Sequence, residues 1–260
     1  MSPDPFLVGS AGVLGLIIGS FLNVVILRLP AGESIVSPPS HCPHCGTAIR
    51  WWQNIPVLSY LVLRGKCARC GAPISWQYPL VEAGTGLLFG WTAFFYGLSW
   101  NTISTWLLIA YLIPIALIDY RHFLIFDVLS LSGIVLGLGL SLLPGASLPL
   151  PGAALGGLIG GGALYAIRGL GFLAFRKEAM GLGDVKLATL LGVFLGWKLT
   201  LLSFFTGAVL IVVTYLVRAL LTRTPQPEEK YAFGFYFSLA ALLMRFWGNN
   251  LLDYYLNFIQ

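Results

Sequence analysis

Long apolar runs separated by short polar segments make up most of the chain. Between charges and turn-forming residues, eight such runs can be marked, at 5–27, 79–97, 102–118, 126–143, 152–173, 185–195, 199–217 and 232–247. A helix needs about 20 apolar residues to cross the hydrocarbon core of a bilayer. The sixth run is too short to span unless it is tilted or extended, so a seven-span arrangement with this run re-entrant stays open. The pattern predicts an all-α polytopic membrane protein with about eight transmembrane helices.

Composition agrees with this assignment. Of the 260 residues, 57% are hydrophobic and only 10% are charged, and the mean hydropathy is +0.84. Soluble domains average about 25% charged residues. No cleavable signal peptide is expected, because no basic residue precedes the first run and this run is longer than a signal core. The pairs Gly156 with Gly160 and Gly157 with Gly161 indicate close helix packing.

The basic residues orient the predicted helices. If the N-terminus lies outside the cell, the inner loops and helix ends collect most lysines and arginines, while Lys198 falls outside. This distribution explains the net charge of +5 through membrane topology and without a nucleic-acid partner. The basic residues placed inside are Arg28, Arg50, Arg64, Lys66, Arg69, Arg121, Arg168, Arg176, Lys177, Lys186, Arg218, Arg223 and Lys230.

All four cysteines of the chain lie in one polar loop. Cys42 and Cys45 form one CxxC pair and Cys67 and Cys70 form another, which is the spacing of a tetrahedral four-thiolate zinc site. Disulfides are the competing interpretation, but they rarely persist in the reducing cytoplasm. A closed site of this kind is structural, and His41, His44 and His122 are then not ligands. The predicted divisions are a first transmembrane helix at 1–29, a zinc-binding cytoplasmic loop at 30–78 and a transmembrane bundle at 79–260.

Two acidic residues stand at the cytoplasmic ends of apolar runs. Asp119 follows the third run, and Asp184 precedes the sixth, after Gly181 and Gly183, which free the backbone. A carboxylate beside hydrocarbon is costly to keep charged, so it usually serves a function. If the two carboxyl groups meet, they share a proton, and one activates water while the other polarises a carbonyl group. This arrangement predicts an intramembrane aspartyl protease.

Structural roles for these acids remain open at this stage. Asp119 could pair with Arg121 at a helix end, and Asp184 could be the N-cap of the sixth helix beside Lys186. Asp127 is a rival for Asp119, although it also stands where an N-cap of the fourth helix is expected. A non-enzymatic zinc-loop assembly factor and a proton-coupled transporter are the alternative functions.

Several motifs of the chain, taken together, indicate a resemblance to a known family. They are the segment from Gly19 to Pro30, the two CxxC pairs framing Asn54 to Tyr60, the segment Tyr78-Pro79-Leu80-Val81-Glu82, the pair Ile118-Asp119, and Gly181-Leu182-Gly183-Asp184-Val185-Lys186. In this combination the chain resembles the type IV prepilin peptidases nearly from end to end, and with them the GxGD intramembrane aspartyl proteases.

The resemblance implies a bifunctional enzyme of the bacterial inner membrane. Such enzymes remove the basic leader of type IV prepilins or type II secretion pseudopilins at the cytoplasmic face. They then methylate the new N-terminal amine with S-adenosylmethionine. By motif position, Asp119 and Asp184 correspond to the catalytic aspartates, with Gly181, Gly183 and Lys186 in support. The four cysteines correspond to the zinc ligands of the loop associated with methylation.

The chain departs from the family pattern where prolines are common, at Phe126, Ala232 and Phe235. Their loss removes helix-breaking constraints. No Rossmann-type fingerprint is present, so a methyl-donor site must be built from loop and helix ends. Glu82, at the cytoplasmic end of the second span, is a candidate for holding an amine, although capping or pairing with an arginine is an equally simple role. The sequence does not fix the oligomeric state.

Overall fold

A computed structural model of the chain describes residues 4–176, 180–222 and 231–259. Lys177, Arg223 and Lys230, which entered the orientation argument, lie outside these residues. The described residues contain two isolated β-bridges and no longer strand. Their α-helices are α1 (Pro5–Arg28), α2 (Leu58–Val62), α3 (Gln77–Tyr96), α4 (Trp100–His122), α5 (Asp127–Ser141), α6 (Leu150–Phe175), α7 (Leu182–Thr222) and α8 (Phe233–Ile259).

The predicted all-α membrane architecture is confirmed. Each of the eight apolar runs lies in a helix, and the polar loop between the first two runs adds only the short α2 and a 3-10 turn at Trp51–Asn54. Four helical stretches of the described chain are long and apolar enough to cross a bilayer by themselves, and α5 is a shorter apolar helix. These four are Pro5–Arg28, Trp100–His122, Leu150–Ala174 and Leu182–Leu221.

The sixth and seventh runs join end to end in α7. Gly196 interrupts the helix with φ 74° and ψ 165°, a backbone region that is essentially restricted to glycine. The predicted boundary between two helices is therefore present as a break within one element. At the other end of the chain, α8 extends to Ile259, beyond the predicted end at residue 247, because its polar residues end the apolar run without ending the helix.

The first of two compact units comprises Met1–Pro114. In this unit α1 packs directly against α3 at two glycines. A Cβ atom at Gly15 would lie 2.7 Å from the carbonyl oxygen of Thr85, and one at Gly19 would lie 2.8 Å from the Cα atom of Glu82. Glycines spaced four residues apart allow two membrane helices to approach this closely. The packing fixes Glu82 against the face of α1.

A buried polar contact also links α1 and α3. Asn23 of α1 is only 1% exposed, and its Nδ2 donates to the carbonyl oxygen of Tyr78 at 3.1 Å. Gln77, at the start of α3, donates to Oδ1 of Asn23 at 3.3 Å. Because buried amide groups must be hydrogen-bonded, this contact ties the start of α3 to α1 where the cysteine loop rejoins the helices.

The second unit comprises Ile115–Gln260. Here α6 packs against α7, where a Cβ atom at Gly156 would overlap the carbonyl oxygen of Gly192, and one at Gly160 would lie 2.6 Å from that of Ala188. A Cβ atom at Gly157 would lie 3.0 Å from Val193. The close helix packing predicted from the glycine spacing is confirmed, and it aligns α7, which carries Asp184.

We expect Gly156→Ala to destabilise the protein, although alanine is usually the better helix former by about 1 kcal/mol. The added methyl group must displace the backbone of α7, and overpacking of this kind costs about 1–3 kcal/mol. Gly162→Ala is the matched control in the same helix, because nothing lies within 4 Å of a Cβ atom there. Thermal unfolding in detergent should show a lower midpoint for Gly156→Ala alone, and equal midpoints would contradict the packing.

Candidate functional site

Asp119 lies in the last turn of α4 and is almost completely buried, at 5% exposure. The backbone N–H of Phe235 donates to its Oδ2 at 3.1 Å. Phe235 belongs to the first turn of α8, where N–H groups have no partner within the helix and the helix dipole favours negative charge. The start of α8 therefore supplies a donor to a carboxyl group that apolar surroundings would otherwise leave without one.

This contact depends on a glycine. A Cβ atom at Gly234 would lie 2.9 Å from Oδ2 of Asp119, which is closer than side-chain packing allows. Only a residue without a side chain lets the start of α8 approach the carboxyl group in this way. The helix begins at Phe233, and neither Ala232 before it nor Phe235 in its first turn is a proline.

Asp184 lies in the first turn of α7, as its third residue. Its carboxyl group is half-buried and hydrogen-bonded to the backbone of Gly181. A side chain at this position that reaches back to the residue before the helix resembles half of a capping box. The alternative interpretation of Asp184 as the N-cap residue is wrong, because α7 begins two residues earlier.

The structure brings the two predicted acids together within the second unit, where their carboxyl groups interact electrostatically. One apolar side chain lies beside both. A Cβ atom at Gly183 would lie 2.9 Å from Cβ of Ile125, and one at Gly234 would lie 3.0 Å from its Cδ1. The site therefore consists of two carboxyl groups at two helix starts, with Ile125 packed against the backbone of each.

Asp127 has a different environment. It is the first residue of α5, and the N-cap is Phe126, which makes no capping bond through its side chain. The interpretation of Asp127 as an N-cap is therefore wrong. Its Oδ1 instead accepts from Nζ of Lys186 at 2.6 Å, with the two side chains 60% and 32% exposed respectively. An ion pair exposed to this degree contributes about 1 kcal/mol or less to stability.

The four cysteines form a single cluster in the first unit. Their Sγ atoms all lie within 4.8 Å of one another, and those of Cys42 and Cys70 are 3.8 Å apart. A tetrahedron with metal–sulfur bonds of about 2.3 Å has edges of about 3.8 Å, so four thiolates in this arrangement could bind one metal ion. All four thiols are free, and His41 and His44 do not belong to the cluster.

The two CxxC pairs have the same backbone fold. In each, the glycine after the second cysteine donates its N–H to the carbonyl oxygen of the first, from Gly46 to Cys42 and from Gly71 to Cys67, both at 2.9 Å. These glycines have φ values of 67° and 72°, in the left-handed region that favours glycine. The sequence therefore builds the same two-cysteine turn twice, as a four-ligand metal site requires.

Thr47 supports the cluster from one side. Hydrogen bonding to its hydroxyl and backbone lowers the pKa of Cys45 to about 6, which favours the thiolate form that binds metals. Nη1 of Arg69 donates to the same hydroxyl at 2.7 Å. Because Arg69 lies between the second pair of cysteines, this bond links the two turns.

Glu82 is a further buried acid of the first unit, at 7% exposure. Its Oε2 accepts from the backbone N–H of Val57 at 2.8 Å, and its carboxyl group is also hydrogen-bonded to Ser20. Val57 has φ 62°, which is unusual for a β-branched residue and costs about 1–3 kcal/mol. Glu82 therefore holds a strained point of the cysteine loop against α1 and α3.

Comparison with known proteins gives two family matches. Residues 13–96 match the bacterial peptidase A24 N-terminal domain, and residues 106–217 match the type IV leader peptidase family. A relative from Stutzerimonas stutzeri is 38% identical, with the alignment covering 100% of both chains. The chain belongs to the type IV leader peptidase family.

Other members of this family are similar over most of their length. A Pseudomonas aeruginosa relative is 38% identical over 95% of this chain and 92% of its own, and one from Neisseria gonorrhoeae is 40% identical over 89% and 87%. All three relatives are named prepilin leader peptidase/N-methyltransferase. No solved structure matches the chain. Membership in this family and the apolar helices indicate a bacterial inner-membrane protein.

Sequence reasoning missed three residues of the acidic site, namely Gly234, Phe235 and Ile125. One signal could have found the first two, because a buried carboxylate needs N–H donors and a helix start that carries a glycine can supply them. Ile125 gives no comparable signal, since an isoleucine in a short apolar loop is ordinary. In the first unit, the buried contact of Asn23 with Gln77 was also missed.

Proposed function

We propose that this protein cleaves the basic leader of type IV prepilins or type II secretion pseudopilins and N-methylates the new N-terminus. The observation that carries the proposal is the pair of interacting carboxyl groups, Asp119 and Asp184, in a member of the type IV leader peptidase family. The assembly-factor and transporter alternatives gain no support, because the relatives described above are all named as enzymes.

In the cleavage step, the two carboxyl groups share one proton. The charged group removes a proton from water, whose oxygen attacks the scissile carbonyl carbon, while the protonated group donates a hydrogen bond to the carbonyl oxygen. The amine of the new N-terminus then takes up a proton as the C–N bond breaks. The N–H of Phe235 keeps the Asp119 carboxyl oriented, and the hydrogen bond to Gly181 does the same for Asp184.

The supporting residues help to position the groups of the acidic site. Gly183 leaves space for Ile125 beside Asp184, and Lys186, two residues after Asp184, pairs with Asp127 and so links α7 to α5. We assign Gly181, Gly183 and Lys186 to support of the site on these contacts. None of them contributes the reacting proton.

We expect Asp119→Asn and Asp184→Asn each to lower the cleavage rate by about 10³-fold or more, because general acid–base groups contribute about 10²–10⁴-fold each and here act as one unit. The double variant should be no worse than either single variant. The measurement is incubation of purified protein in detergent with a prepilin, with and without S-adenosylmethionine, followed by mass spectrometry.

Two further variants control this experiment. Asp253→Asn changes an exposed aspartate of α8 and should leave cleavage unchanged, and Asp127→Asn should lower it only mildly because its carboxylate is exposed. Substantial cleavage by a folded Asp119→Asn or Asp184→Asn variant would refute the pair. A cleavage rate independent of pH between about 4 and 9 would argue against a shared proton.

The cysteine cluster is proposed to hold one structural zinc ion. Zinc is a suitable occupant because four thiolates in a tetrahedral arrangement leave no open position. In the first unit, the loop buries few of its side chains, and its tryptophans are largely exposed. Metal binding would therefore supply much of the free energy that folds the loop.

Purified protein should contain about one zinc ion per chain, as a single four-thiolate site requires. We expect Cys67→Ser to abolish the stoichiometric zinc and to lower methylation more than cleavage, since the aspartates lie in the other unit. Metal analysis by mass spectrometry and the two activity assays can decide this. Freshly prepared protein without zinc would contradict the metal assignment, and equal loss of both activities in a folded variant would contradict the separation of roles.

Methylation is proposed to use Glu82 as the group that holds the new N-terminal amine. S-adenosylmethionine would supply the methyl group when bound. Glu82 suits an ammonium partner because it is a buried carboxylate whose known partners, Val57 and Ser20, are neutral. Binding the cation there would bring the substrate amine to the base of the cysteine loop, which the resemblance associates with methylation. Glu82 would take up a proton from the ammonium group, so that the neutral amine can accept the methyl group.

Glu82→Gln should lower methylation of a pre-cleaved pilin by about tenfold or more and leave cleavage within about twofold. The amide keeps an oxygen that can accept from Val57 but loses the charge that attracts an amine, and a hydrogen-bonded charge contributes about 1.5–3 kcal/mol. Glu33→Gln is the matched control in an exposed part of the loop. Equal losses of cleavage and methylation would mean that Glu82 only supports the loop.

The proposed topology has the N-terminus outside the cell and the cysteine loop in the cytoplasm, as the distribution of basic residues favours. The proposed divisions remain the first helix at 1–29, the zinc-binding loop at 30–78 and the protease bundle at 79–260. With this orientation, cleavage and methylation would both take place on the cytoplasmic side. The lipid bilayer and the prepilin are the partners that the proposal requires.

A further inference from the structure

The short loop between α4 and α5 places one apolar side chain against the starts of two other helices. Cβ of Ile125 lies 2.9 Å from where a side chain at Gly183 would begin, and its Cδ1 lies 3.0 Å from the corresponding point at Gly234. The first distance is shorter than real Cβ atoms show, so position 183 needs glycine as long as Ile125 is present. The second is a tight contact, so a side chain at position 234 would have to displace the end of the Ile125 side chain. Ile125 therefore fills the space beside the first turns of both α7 and α8.

Each of these glycines adjoins one of the two acids. Gly183 directly precedes Asp184 in the chain. Gly234 lies against Asp119, since a Cβ atom there would be 2.9 Å from its Oδ2, and the next residue, Phe235, donates to the same oxygen. A change in the width of the side chain at position 125 would shift one or both helix starts and move the carboxyl groups with them.

The loop that carries Ile125 is itself anchored at Asp119. Phe123 has φ 55°, and its N–H donates to the carbonyl oxygen of Asp119 at 2.9 Å. This left-handed residue ends α4 and reverses the chain, so that Ile125, two residues later, returns towards the acids. One segment thus supplies both Asp119 and the side chain that contacts the two glycines.

We propose that Ile125 is a positioning residue that sets the separation of the Asp119 and Asp184 carboxyl groups. The inference rests on the proposed function, in which these two groups form the catalytic pair. Ile125 does not contact the substrate in this role. It acts by holding the starts of α7 and α8 apart at the distance that lets the carboxyl groups share a proton.

Ile125→Ala should lower kcat for leader cleavage by about 10- to 100-fold, because misplacement of catalytic groups by about 1 Å costs up to about 100-fold. KM should stay within about twofold, since substrate contacts are unchanged. The width of the pH–rate profile should also change, because it reports the interaction between the two carboxyl groups. Leu124→Ala is the matched control, because Leu124 is the neighbour of Ile125 in the chain and its side chain is 53% exposed. This variant should behave as the unaltered protein does.

Paired substitutions test the contacts separately. Gly234→Ala and Gly183→Ala should each impair cleavage, the first by contact with both Oδ2 of Asp119 and Cδ1 of Ile125, and the second by contact with Cβ of Ile125. Ile125→Val removes Cδ1 and keeps Cβ. It should therefore partly restore kcat when combined with Gly234→Ala, by about threefold or more, and should restore nothing when combined with Gly183→Ala.

The outcomes separate this inference from the function on which it rests. If the unaltered protein fails to cleave a prepilin, the proposed function fails. If it cleaves and Asp119→Asn is inactive, but folded Ile125→Ala keeps its kcat and pH profile, the function stands and the positioning role is overturned. Should Ile125→Ala fail to fold, judged by its thermal midpoint and zinc content, the paired variants decide. Restoration in neither or in both glycine backgrounds would then overturn the proposal.

Discussion

The need of a buried carboxyl group for N–H donors organises this site. A charged group in apolar surroundings is costly unless it is hydrogen-bonded, and within a membrane bundle nearly every backbone N–H is already used inside a helix. The first turns of helices are the exception. Asp119 accepts from the first turn of α8, and Asp184 lies in the first turn of α7. The two acids therefore meet where two helices begin.

Close approach of backbones is the second requirement, and glycine meets it throughout the protein. The glycines that let α1 pack on α3 and α6 pack on α7 act as Gly183 and Gly234 do, by removing a side chain where another group must fit. The absence of a side chain at glycine thus serves helix packing at the interfaces and the placement of the acids at the acidic site. At Gly183, however, the group that fits against the glycine is Ile125, and at Gly234 it is Ile125 together with the carboxyl group of Asp119, so that neither group belongs to the helix of the glycine.

The sequence predicts well those structural features that depend on residues close together in the chain. Apolar runs predict the helices because the burial of apolar side chains and the hydrogen bonding of backbone groups both involve consecutive residues. The CxxC spacing predicts the cysteine cluster because each two-cysteine turn closes within a few residues. The partners of Asp119 and Asp127 were missed because Phe235 and Lys186 are 116 and 59 residues away along the chain. Gly183 was expected to free the backbone, yet it has no positive φ and leaves space for Ile125.

Glu82 shows how the same constraint can lead to different chemistry. Like Asp119, it is buried and accepts from a backbone N–H that no regular helix uses, in this case that of strained Val57. It differs in having no acidic partner among the groups that interact with it, whereas Asp184 interacts with Asp119. Two adjacent carboxyl groups do not both ionise easily, so they are suited to moving a proton. A single buried carboxylate is suited to holding a cation, and Glu82 is proposed to hold the protonated amine that cleavage releases.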